Sequence, residues 1–302
     1  MRAARKAELT LDQLRIFIAV AERQHITQAA AIVNRTQSAV SAAISSLERR
    51  HGVRLFDRLG RRIALTAAGR TFLEEAKELL ARSRATEQVL ADLAELRIGS
   101  LSLAASQTIG NYWLPPRLHR FAMSYPGISI RLTIGNTQEV AALAATGDID
   151  VGFVEGDVRD ANLAARAVDE DQLVIVAAPN MKIPRKPDSG WLTAAPWVAR
   201  ETGSGTREAF ETALKKFGVR LVERRIVLEL PSNESVRAAV ESGAGLAVMS
   251  QLVAESSIRS GAPVTLPLQL ARRRFYSIRH KQRYLSLAAR ALLKLSGEDS
   301  QP

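Results

Sequence analysis

The stretch NRTQSAVSAAISSLERRHG, residues 34–52, determines how the first part of the chain is interpreted. Val40, Ile44 and Leu47 recur at helical spacing and form an apolar stripe that can anchor a helix to a core. The side chains on the other side of this helix are short, polar and uncharged. Such a surface is unusual to leave to water alone, which raises the question of what it contacts. That side carries Thr36, Gln37, Ser38, Ser41 and Ser45.

The segments before this helix predict two further helices. The first helix is predicted from the helical spacing of Leu14, Phe17, Ile18 and Ala21. Thr27 is predicted to cap a short second helix, TQAAAIVN. Asn34 and Arg35 are predicted to form a tight turn, after which Thr36 caps the third helix. The order helix, turn, helix is typical of a DNA-binding motif whose second helix enters the major groove.

The segment after this helix predicts a β-hairpin. VRLFDRLGRRIALT alternates apolar and polar residues on both sides of Leu59-Gly60-Arg61, with arginines near the tip. We therefore interpret residues 1–66 as a winged helix-turn-helix DNA-binding domain.

The charge of the chain supports a polyanionic partner. The formal net charge is +11, and residues 1–66 hold twelve Lys or Arg against five Asp or Glu. Residues 49–62 contain six arginines opposed only by Asp57. Such a patch favours nucleic acid, and the alternative is a solvated basic surface. A second basic stretch, residues 256–297, contains no acid and is interpreted as a strand and a helix on a domain surface.

The third helix and the wing suggest how double-stranded promoter DNA is bound. Gln37 can pair bidentately with adenine, and the neighbouring hydroxyls can reach base edges or phosphates. The wing arginines are placed to contact backbone phosphate or the flanking minor groove. The candidate DNA-binding residues are Thr27, Gln28, Arg35, Thr36, Gln37, Ser38, Ser41, Arg58, Arg61 and Arg62.

Residues 67–98 favour one long linker helix. An apolar seam repeats at alternating steps of four and three, as in a coiled coil, so we predict that the helix dimerises and presents two DNA-binding heads to a pseudo-palindromic site. The alternative is a long helix packed on its own chain. The seam consists of Phe72, Ala76, Leu79, Ser83, Thr86, Leu90 and Leu93.

From Gly99 onward the sequence alternates strands and helices. Short apolar segments such as SLSLAAS, ISIRLTI and QLVIVAA are separated by helix-length stretches, which predicts an α/β domain with mainly parallel sheets. Ligands in such folds lie at the carboxyl ends of the strands. Four polar segments occupy such positions: Ser106, Gln107 and Thr108; Asn136 and Thr137; Ser204, Gly205, Thr206 and Arg207; Ser232, Asn233 and Glu234.

Among these four segments, GSGTR is the one best suited to bind an anion. Its two glycines allow the backbone to curl around an anion, and hydroxyls and Arg207 stand alongside. The alternative for Arg207 is a surface salt bridge beside a helix cap. We predict a small, anionic effector and no other cofactor.

Several function classes find little support. The chain has no cysteine, no run of apolar residues long enough to cross a membrane, and no signal-peptide pattern, so we expect a cytoplasmic protein without a membrane partner. Four scattered histidines show no metal-ligand spacing, and TGSGT has threonine where a nucleophile elbow requires glycine. We predict neither a metal site nor an enzyme.

Two other functions remain as alternatives. A solute-binding module would fit residues 99–302 but would not explain the N-terminal third of the chain. A ligand-independent DNA-architectural protein would explain the basic head but not the roughly 200 residues of α/β sequence that follow.

The chain resembles the LysR-type transcriptional regulators over nearly its whole length. The resemblance rests on LDQLRIFIAVAERQHITQAA, on TQSAVSAAISSLERRHGVRLFDRLGRRIALTAAG, and on the long helix and strand-rich remainder. The segments TIGNYWLP, FVEG, ARETGSGTR and SNESVRAAVESGAGLAVMS are similar to the subgroup that regulates carbon-fixation and sulfur-assimilation genes.

The resemblance implies a homodimer or a tetramer built as a dimer of dimers, with RNA polymerase as a further candidate partner. It implies a periplasmic-binding-protein-like regulatory region with one subdomain formed by residues 99–162 and 268–302, and another by residues 163–267. The effector would lie in the cleft between them. Matching positions for the pocket are Ser106, Thr108, Asn136, Thr137, Glu155, Ser204 and Thr206.

Two positions depart from the family pattern. Ser38 stands where many members have proline, and Ala42 stands where they have a long basic or amide side chain. Individual base contacts therefore do not transfer directly, whereas the assignment of the helix to the major groove does.

Overall fold

The computed structural model describes residues 9–59, 62–93, 99–156, 158–219, 225–259, 264–266, 268, 270 and 272–297. The chain divides into two compact units, residues 1–87 and residues 88–302. No helix in the described ranges is both long and apolar enough to cross a membrane.

The first unit contains three helices, a hairpin and most of a long helix. Their order confirms the predicted helix, turn, helix and wing. The elements are α1 (Leu11–Arg23), α2 (Ile26–Ile32), α3 (Gln37–His51), β1 (Phe56–Leu59), β2 (Arg62–Leu65) and α4 (Ala67–Leu93).

The core of the first unit forms around Phe17. Its ring lies 5.3 Å from the ring of Phe56 on β1 and 4.7 Å from that of Phe72 on α4. The apolar stripe predicted for α3 is buried in the same core. Such aromatic contacts fix the hairpin and the beginning of α4 against the helices, because each ring buries a large apolar area.

The boundaries of α2 and α3 correct one prediction and confirm another. Thr27 does not cap α2, because the helix begins earlier: the amide of Ala29 donates to the carbonyl of His25, and His25 is the N-cap residue. Thr36 caps α3 as predicted, since its hydroxyl accepts from the amide of Ala39 at 3.2 Å. Asn34 adopts a φ of +51° in the tight turn before it.

The predicted seam of α4 is only partly available to a second chain. Phe72 and Ala76 pack into the core of the first unit, which is the alternative considered for this helix. Leu79 and Leu90 are 49% and 64% exposed and continue as a stripe on one side of the helix. The side chain of Leu93 and the predicted end of the helix at residues 94–98 lie outside the described residues.

The second unit is built on a nine-stranded sheet, in which eight strands form one hydrogen-bonded path. The order is β4-β3-β5-β11-β6-β9-β7-β8, with β10 paired to β6. The strands are β3 (Gly99–Ser106), β4 (Ile128–Gly135), β5 (Val151–Glu155), β6 (Leu163–Ala177), β7 (Trp197–Arg200), β8 (Ile226–Leu230), β9 (Leu246–Ser250), β10 (Val264–Thr265) and β11 (Arg272–His280).

The sheet corrects two predictions. It is mixed rather than mainly parallel, because β11 and β6 run antiparallel to their neighbours while β3, β4 and β5, and β7, β8 and β9, pair in parallel. The basic stretch of residues 256–297 does not supply a surface strand. β11 lies between β5 and β6, with Phe275 and Ile278 fully buried.

Strand β6 links the two halves of the sheet. Its residues 163–172 pair with β11, and its residues 173–177 pair with β9. We call the half with β3, β4, β5 and β11 the first lobe, and the half with β7, β8, β9 and β10 the second lobe. The side-chain amide of Gln172 donates to the carbonyl of Leu270 at 3.1 Å, which ties β6 to the segment that returns to β11.

Helices cover both lobes, and each lobe has its own apolar clusters. This is the predicted α/β architecture with a winged helix-turn-helix, a long linker helix and a two-lobed regulatory region. A π-helix, Ile109–Trp113, follows β3. The α-helices are α5 (Pro115–Ser124), α6 (Thr137–Thr146), α7 (Ser189–Ala194), α8 (Gly205–Lys216), α9 (Asn233–Glu241), α10 (Gln251–Arg259) and α11 (Leu287–Leu295).

Candidate DNA-binding head and effector cleft

The beginning of α3 presents an exposed polar surface. Gln37 and Ser38 are exposed and Ser41 is half-buried, while the apolar stripe holds the opposite side of the helix in the core. The hydroxyl of Thr36 lies 3.1 Å from that of Ser38 in addition to capping the helix. Gln37 and Ser38 are therefore the side chains best placed to reach a DNA groove, and Thr36 mainly fixes the helix terminus.

The remaining predicted head residues flank this surface in the sequence. Thr27 and Gln28 are exposed on the first turn of α2. The guanidinium of Arg35 lies 3.6 Å from the carboxylate of Asp12, and both side chains are more than half exposed. An exposed pair of this kind contributes little stability, so Arg35 can exchange Asp12 for a phosphate.

The wing is joined to α3 by the half-buried carboxylate of Glu48. Glu48 accepts hydrogen bonds from the amides of Leu55 at 2.8 Å and Phe56 at 3.1 Å. The hairpin pairs Phe56 with Leu65 through to Leu59 with Arg62. Because Glu48 belongs to α3, these hydrogen bonds connect the start of the hairpin directly to that helix.

The predicted wing arginines are described only in part. Arg58 and Arg62 occupy β1 and β2, but their side chains lie outside the described residues. Arg61 lies wholly outside them. Their contacts with DNA stay predictions.

In the second unit, polar side chains meet where the strands of both lobes end. Ser106 ends β3, Glu155 ends β5 and Arg200 ends β7, while Thr137 and Asn233 begin α6 and α9. All five are buried. The carboxyl ends of strands thus converge as predicted, and the groups they bring together form a cluster that we call the effector cleft.

Arg273 of β11 lies at the centre of the effector cleft. Its Nε and Nη2 each lie 2.7 Å from the carboxylate of Asp171, and its Nη1 donates to the hydroxyl of Thr206 at 3.0 Å. Its Nη2 also donates to Thr108 at 3.3 Å and lies 3.6 Å from Glu155. One guanidinium therefore connects residues of both lobes, with a close carboxylate and a more distant one.

A second network crosses the cleft through Asn233. Its amide nitrogen donates to Thr108 at 3.0 Å, and its amide oxygen accepts from Arg200 at 2.6 Å. The same guanidinium forms a two-point ion pair with Glu201. The hydroxyl of Ser106 is buried and has no hydrogen-bond partner among the described residues. A buried hydroxyl without a partner is unfavourable unless something else satisfies it.

The lobes approach closely around Gly205. A Cβ atom at this position would lie 2.6 Å from the carbonyl oxygen of Glu155 and 2.7 Å from the hydroxyl of Thr137. The amide of Gln138 also donates to the carbonyl of Gly203 at 3.3 Å. The cleft is therefore closed, and the second glycine of GSGTR serves lobe contact.

Two of the predicted effector residues form structural hydrogen bonds, and a third, Ser204, does not cap its helix. The side chain of Asn136 caps α6 together with Glu139, and that of Gln107 bonds the backbone of Pro231 and of Asn233 across the cleft. Ser204 is the buried N-cap residue of α8, but its side chain forms no capping hydrogen bond.

Arg207 forms salt bridges, which is the alternative to anion binding that its sequence position left open. It pairs with Glu211 at 2.5 Å and Glu229 at 3.1 Å and donates to the carbonyl of Arg200. Its guanidinium is thus occupied by two carboxylates of its own lobe. The salt-bridge alternative for Arg207 is therefore what the structure shows, and a contact of Arg207 with an anion stays a prediction.

The environment shifts the pKa of two cleft carboxyls in opposite directions. Burial raises the pKa of Asp171, although Arg273 and the hydroxyl of Ser250 favour its charged form. For Glu201, burial also acts to raise the pKa, but the hydrogen bonds and charge of Arg200 outweigh it, so the pKa is lowered. The different outcomes reflect how deeply each carboxylate is removed from water.

The sequence analysis missed the charged centre of the cleft. Arg200, Asp171 and Arg273 were not predicted as site residues: Asp171 and Arg273 lie within strands, and Arg200 is the last residue of one. The available signal was alternation: in RRRFYSIRH the second arginine shares its side of the strand with a phenylalanine that is buried.

Comparison with known proteins assigns the family. Residues 11–70 match the bacterial regulatory helix-turn-helix protein, lysR family, and residues 94–301 match the LysR substrate binding domain. The chain belongs to the LysR family. It is a LysR-type, DNA-binding transcriptional regulator with an effector-binding region, as its sequence predicted.

Relatives of this LysR-type chain include the uncharacterized HTH-type transcriptional regulator YeiE of Escherichia coli, 36% identical over 94% of this chain and 96% of that one. The RuBisCO operon transcriptional regulator of Allochromatium vinosum is 32% identical over 94% of each. The predicted resemblance to regulators of carbon-fixation genes is thereby confirmed. The regulatory domain of Synechocystis CcmR, solved in complex with 2-PG, is 25% identical with a TM-score of 0.59 and covers 67% of this chain and 98% of that domain.

Proposed function

We propose that this LysR-type regulator binds a small anion in the effector cleft and that the anion displaces Glu155 from Arg273. The observation that carries the proposal is the arrangement around that arginine. Asp171 is held at 2.7 Å, whereas Glu155 stands at 3.6 Å, and the hydroxyl of Ser106 is buried without a partner among the described residues.

The charges around Arg273 indicate that a bound anion replaces one of its two carboxylate partners rather than binding beside both. Arg273 already faces two buried carboxylates, so a third negative group beside it would be strongly repelled at low dielectric. Glu155 is the more loosely held of the two, and its other side-chain contact, with Thr137, is 3.5 Å long. A carboxylate, phosphate or sulfate oxygen can take its place and gain charge-assisted bonds from the guanidinium.

The CcmR comparison supports binding of a small molecule by this region. A related regulatory domain accommodates a small molecule, and the residues that converge here come from both lobes. An anion bound to Arg273 would favour one angle between the lobes, because β6 joins them directly. A changed angle alters how paired regulators are arranged on DNA.

At the other end of the chain, the beginning of α3 is proposed to read the major groove and the arginine wing to bind the backbone. The exposed stripe of Leu79 and Leu90 on α4 supplies a surface for self-association as a dimer or tetramer. The two DNA-binding domains of a dimer would then contact two half-sites, and the dimer would set the spacing between these half-sites. RNA polymerase remains a further proposed partner.

Thermal shift with a panel of anions tests the effector site. Sulfite, sulfate, dicarboxylates, phosphorylated sugars and nicotinamide nucleotides are added separately, because a ligand of the native state raises its melting temperature. We expect the active anion to act at lower concentration on Glu155→Gln, which lacks the competing charge, and at higher concentration on Arg273→Lys. The matched control, Glu75→Gln, removes an exposed carboxylate of α4 in the first unit and should respond like the wild type.

Two results would contradict the anion site. One is a panel in which no anion raises the melting temperature. The other is an active anion whose effect is weakened by Glu155→Gln, since that carboxylate would then be a ligand contact rather than a competitor.

DNA binding is tested separately with two head variants. Gln37→Ala should reduce the preference for the promoter site over unrelated DNA by about 1–3 kcal/mol. Arg61→Ala should weaken both kinds of DNA equally and flatten the dependence on salt. Equal behaviour of the two variants in fluorescence-anisotropy titrations would refute the division between base reading and phosphate binding.

A further inference from the structure

A second cavity, of about 270 Å³, opens between α8 and β11. It shares Gly205 and Arg273 with the effector cleft, but the other cleft residues do not line it. We call it the hinge cavity. Its walls are formed by Gly156, Leu173, Gly205, Glu208, Ala209, Thr212, Ala213, Lys216, Arg272, Arg273, Arg274 and Tyr276.

The rim of the hinge cavity is positively charged. Lys216, Arg272 and Arg274 line it, and among the described lining residues Glu208 is the one carboxylate that opposes them. Both arginines share Glu170, at 3.6 Å and 3.8 Å, and are well exposed, so these pairs are weak. Lys216 forms no ion pair within the described part of the chain. A concave site with this excess of cations attracts an anion.

The interior of the hinge cavity is apolar. Leu173 and Ala213 are buried and Ala209 is half-buried, and the ring of Tyr276 adds an aromatic wall. Pockets for drug-sized ligands measure about 300–1,000 Å³, so this cavity suits a smaller molecule. The lining therefore selects a compact apolar body that carries one negative group.

The hinge cavity also lies where the lobes are joined. α8 belongs to the second lobe, β11 to the first, and Gly156 directly follows β5. The pairing of β11 with β6 is irregular between Phe275 and Tyr276, and Tyr276 lines the cavity. Bulges of this kind locally bend a strand and are frequent beside functional sites.

We propose that the hinge cavity is a second ligand site, which binds a small aryl or short alkyl carboxylate. Its apolar body lies against Leu173, Ala209 and Ala213, and its carboxylate faces Lys216 and the arginines of β11. Because the ligand contacts both lobes, it stabilises one lobe angle and is thermodynamically coupled to the anion in the effector cleft. This site goes beyond the proposed effector site and does not depend on it.

Calorimetric titration of the full chain with phenylacetate tests the hinge cavity. Phenylacetamide, which has the same shape without the charge, is the matched ligand. We expect phenylacetate to bind wild type and to bind Lys216→Glu at least about tenfold more weakly, because the substitution reverses a charge at the rim. Lys215→Glu makes the same change one residue earlier on exposed surface outside the cavity and should bind like wild type. Phenylacetamide should bind more weakly than phenylacetate to wild type.

Three outcomes would overturn the proposal: no binding of phenylacetate, equal weakening by Lys216→Glu and Lys215→Glu, or tighter binding of phenylacetate to Glu155→Gln. The last would place the probe in the effector cleft, so it would refute the hinge cavity while leaving the anion site intact. Conversely, phenylacetate binding that depends on Lys216 would stand even if no anion bound beside Arg273.

Discussion

Replacing Arg273 with alanine should destabilise the second unit by about 3–5 kcal/mol, the usual result of removing one partner from a buried ion pair. The substitution leaves Asp171 with the hydroxyl of Ser250 as its side-chain partner among the described residues. It also leaves Glu155 without its nearby cation and removes the donor to Thr206. The matched control, Arg272→Ala, removes an exposed arginine whose ion pair is 3.6 Å long. It should cost less than about 1 kcal/mol.

The loss of stability caused by Arg273→Ala should also depend on pH. Burial already raises the pKa of Asp171 while Arg273 opposes that shift, so removing the arginine raises it further. A carboxyl whose folded pKa exceeds its unfolded value contributes stability that is present below the unfolded pKa and is lost as pH rises through the folded pKa. The deficit of the variant relative to wild type should therefore be smaller at pH 5 than at pH 8.

Urea unfolding followed by circular dichroism, with calorimetry to separate the transitions of the two units, measures both effects. A deficit below about 1 kcal/mol at pH 8 would refute the assignment of Arg273 as the required counter-charge of the cleft. A deficit that grows as the pH is lowered would show that the two buried carboxyls are not its partners.

Three further predictions concern other parts of the chain. Glu48→Ala should destabilise the first unit by about 1–3 kcal/mol, because two wing amides lose their acceptor, and Glu48→Gln should recover part of it in thermal unfolding. Leu90→Glu should weaken self-association in sedimentation velocity, because it places charge on the exposed stripe of α4; an unchanged sedimentation coefficient would contradict a role for that stripe. Burial and Glu234 raise the pKa of Tyr112 from 10.0 to about 12, so its contribution to stability is complete below pH 10 and is lost as pH rises through about 12. Tyr112→Phe should remove that alkaline loss in denaturation at pH 9 and 11.5, and an identical alkaline loss in wild type and variant would contradict it.

The head was predictable from sequence because its signals are local. Val40, Ile44 and Leu47 form a helical stripe, Thr36 is a capping residue three positions before its amide partner, and the hairpin follows from alternation. The cap of α2 was not predictable in the same way. Thr27 is a better capping residue than His25, yet the helix begins at Ile26, because packing of the short helix against α1 and α3 overrides the local preference.

The cleft was only partly predictable because its charges meet across long separations in sequence. The hydroxyls at strand ends were identified from their position after apolar segments, and Ser106, Thr108, Thr206 and Asn233 do converge. Arg273 was not identified, because three consecutive arginines are typical of exposed surface. Only the pairing of β11 with β6 reveals that the middle one faces Asp171.

The sharing of β6 between the lobes restricts how this regulator can respond to any ligand. A change in lobe angle cannot occur by swivelling about a loop, because β6 is hydrogen-bonded to β11 along its first ten residues and to β9 along the rest. Sliding along the strands would break the register. We therefore expect a change in lobe angle to bend or twist β6 near Gln172, where its partner changes from β11 to β9. Ligands of different chemistry would therefore drive the same rotation and differ only in its direction and extent.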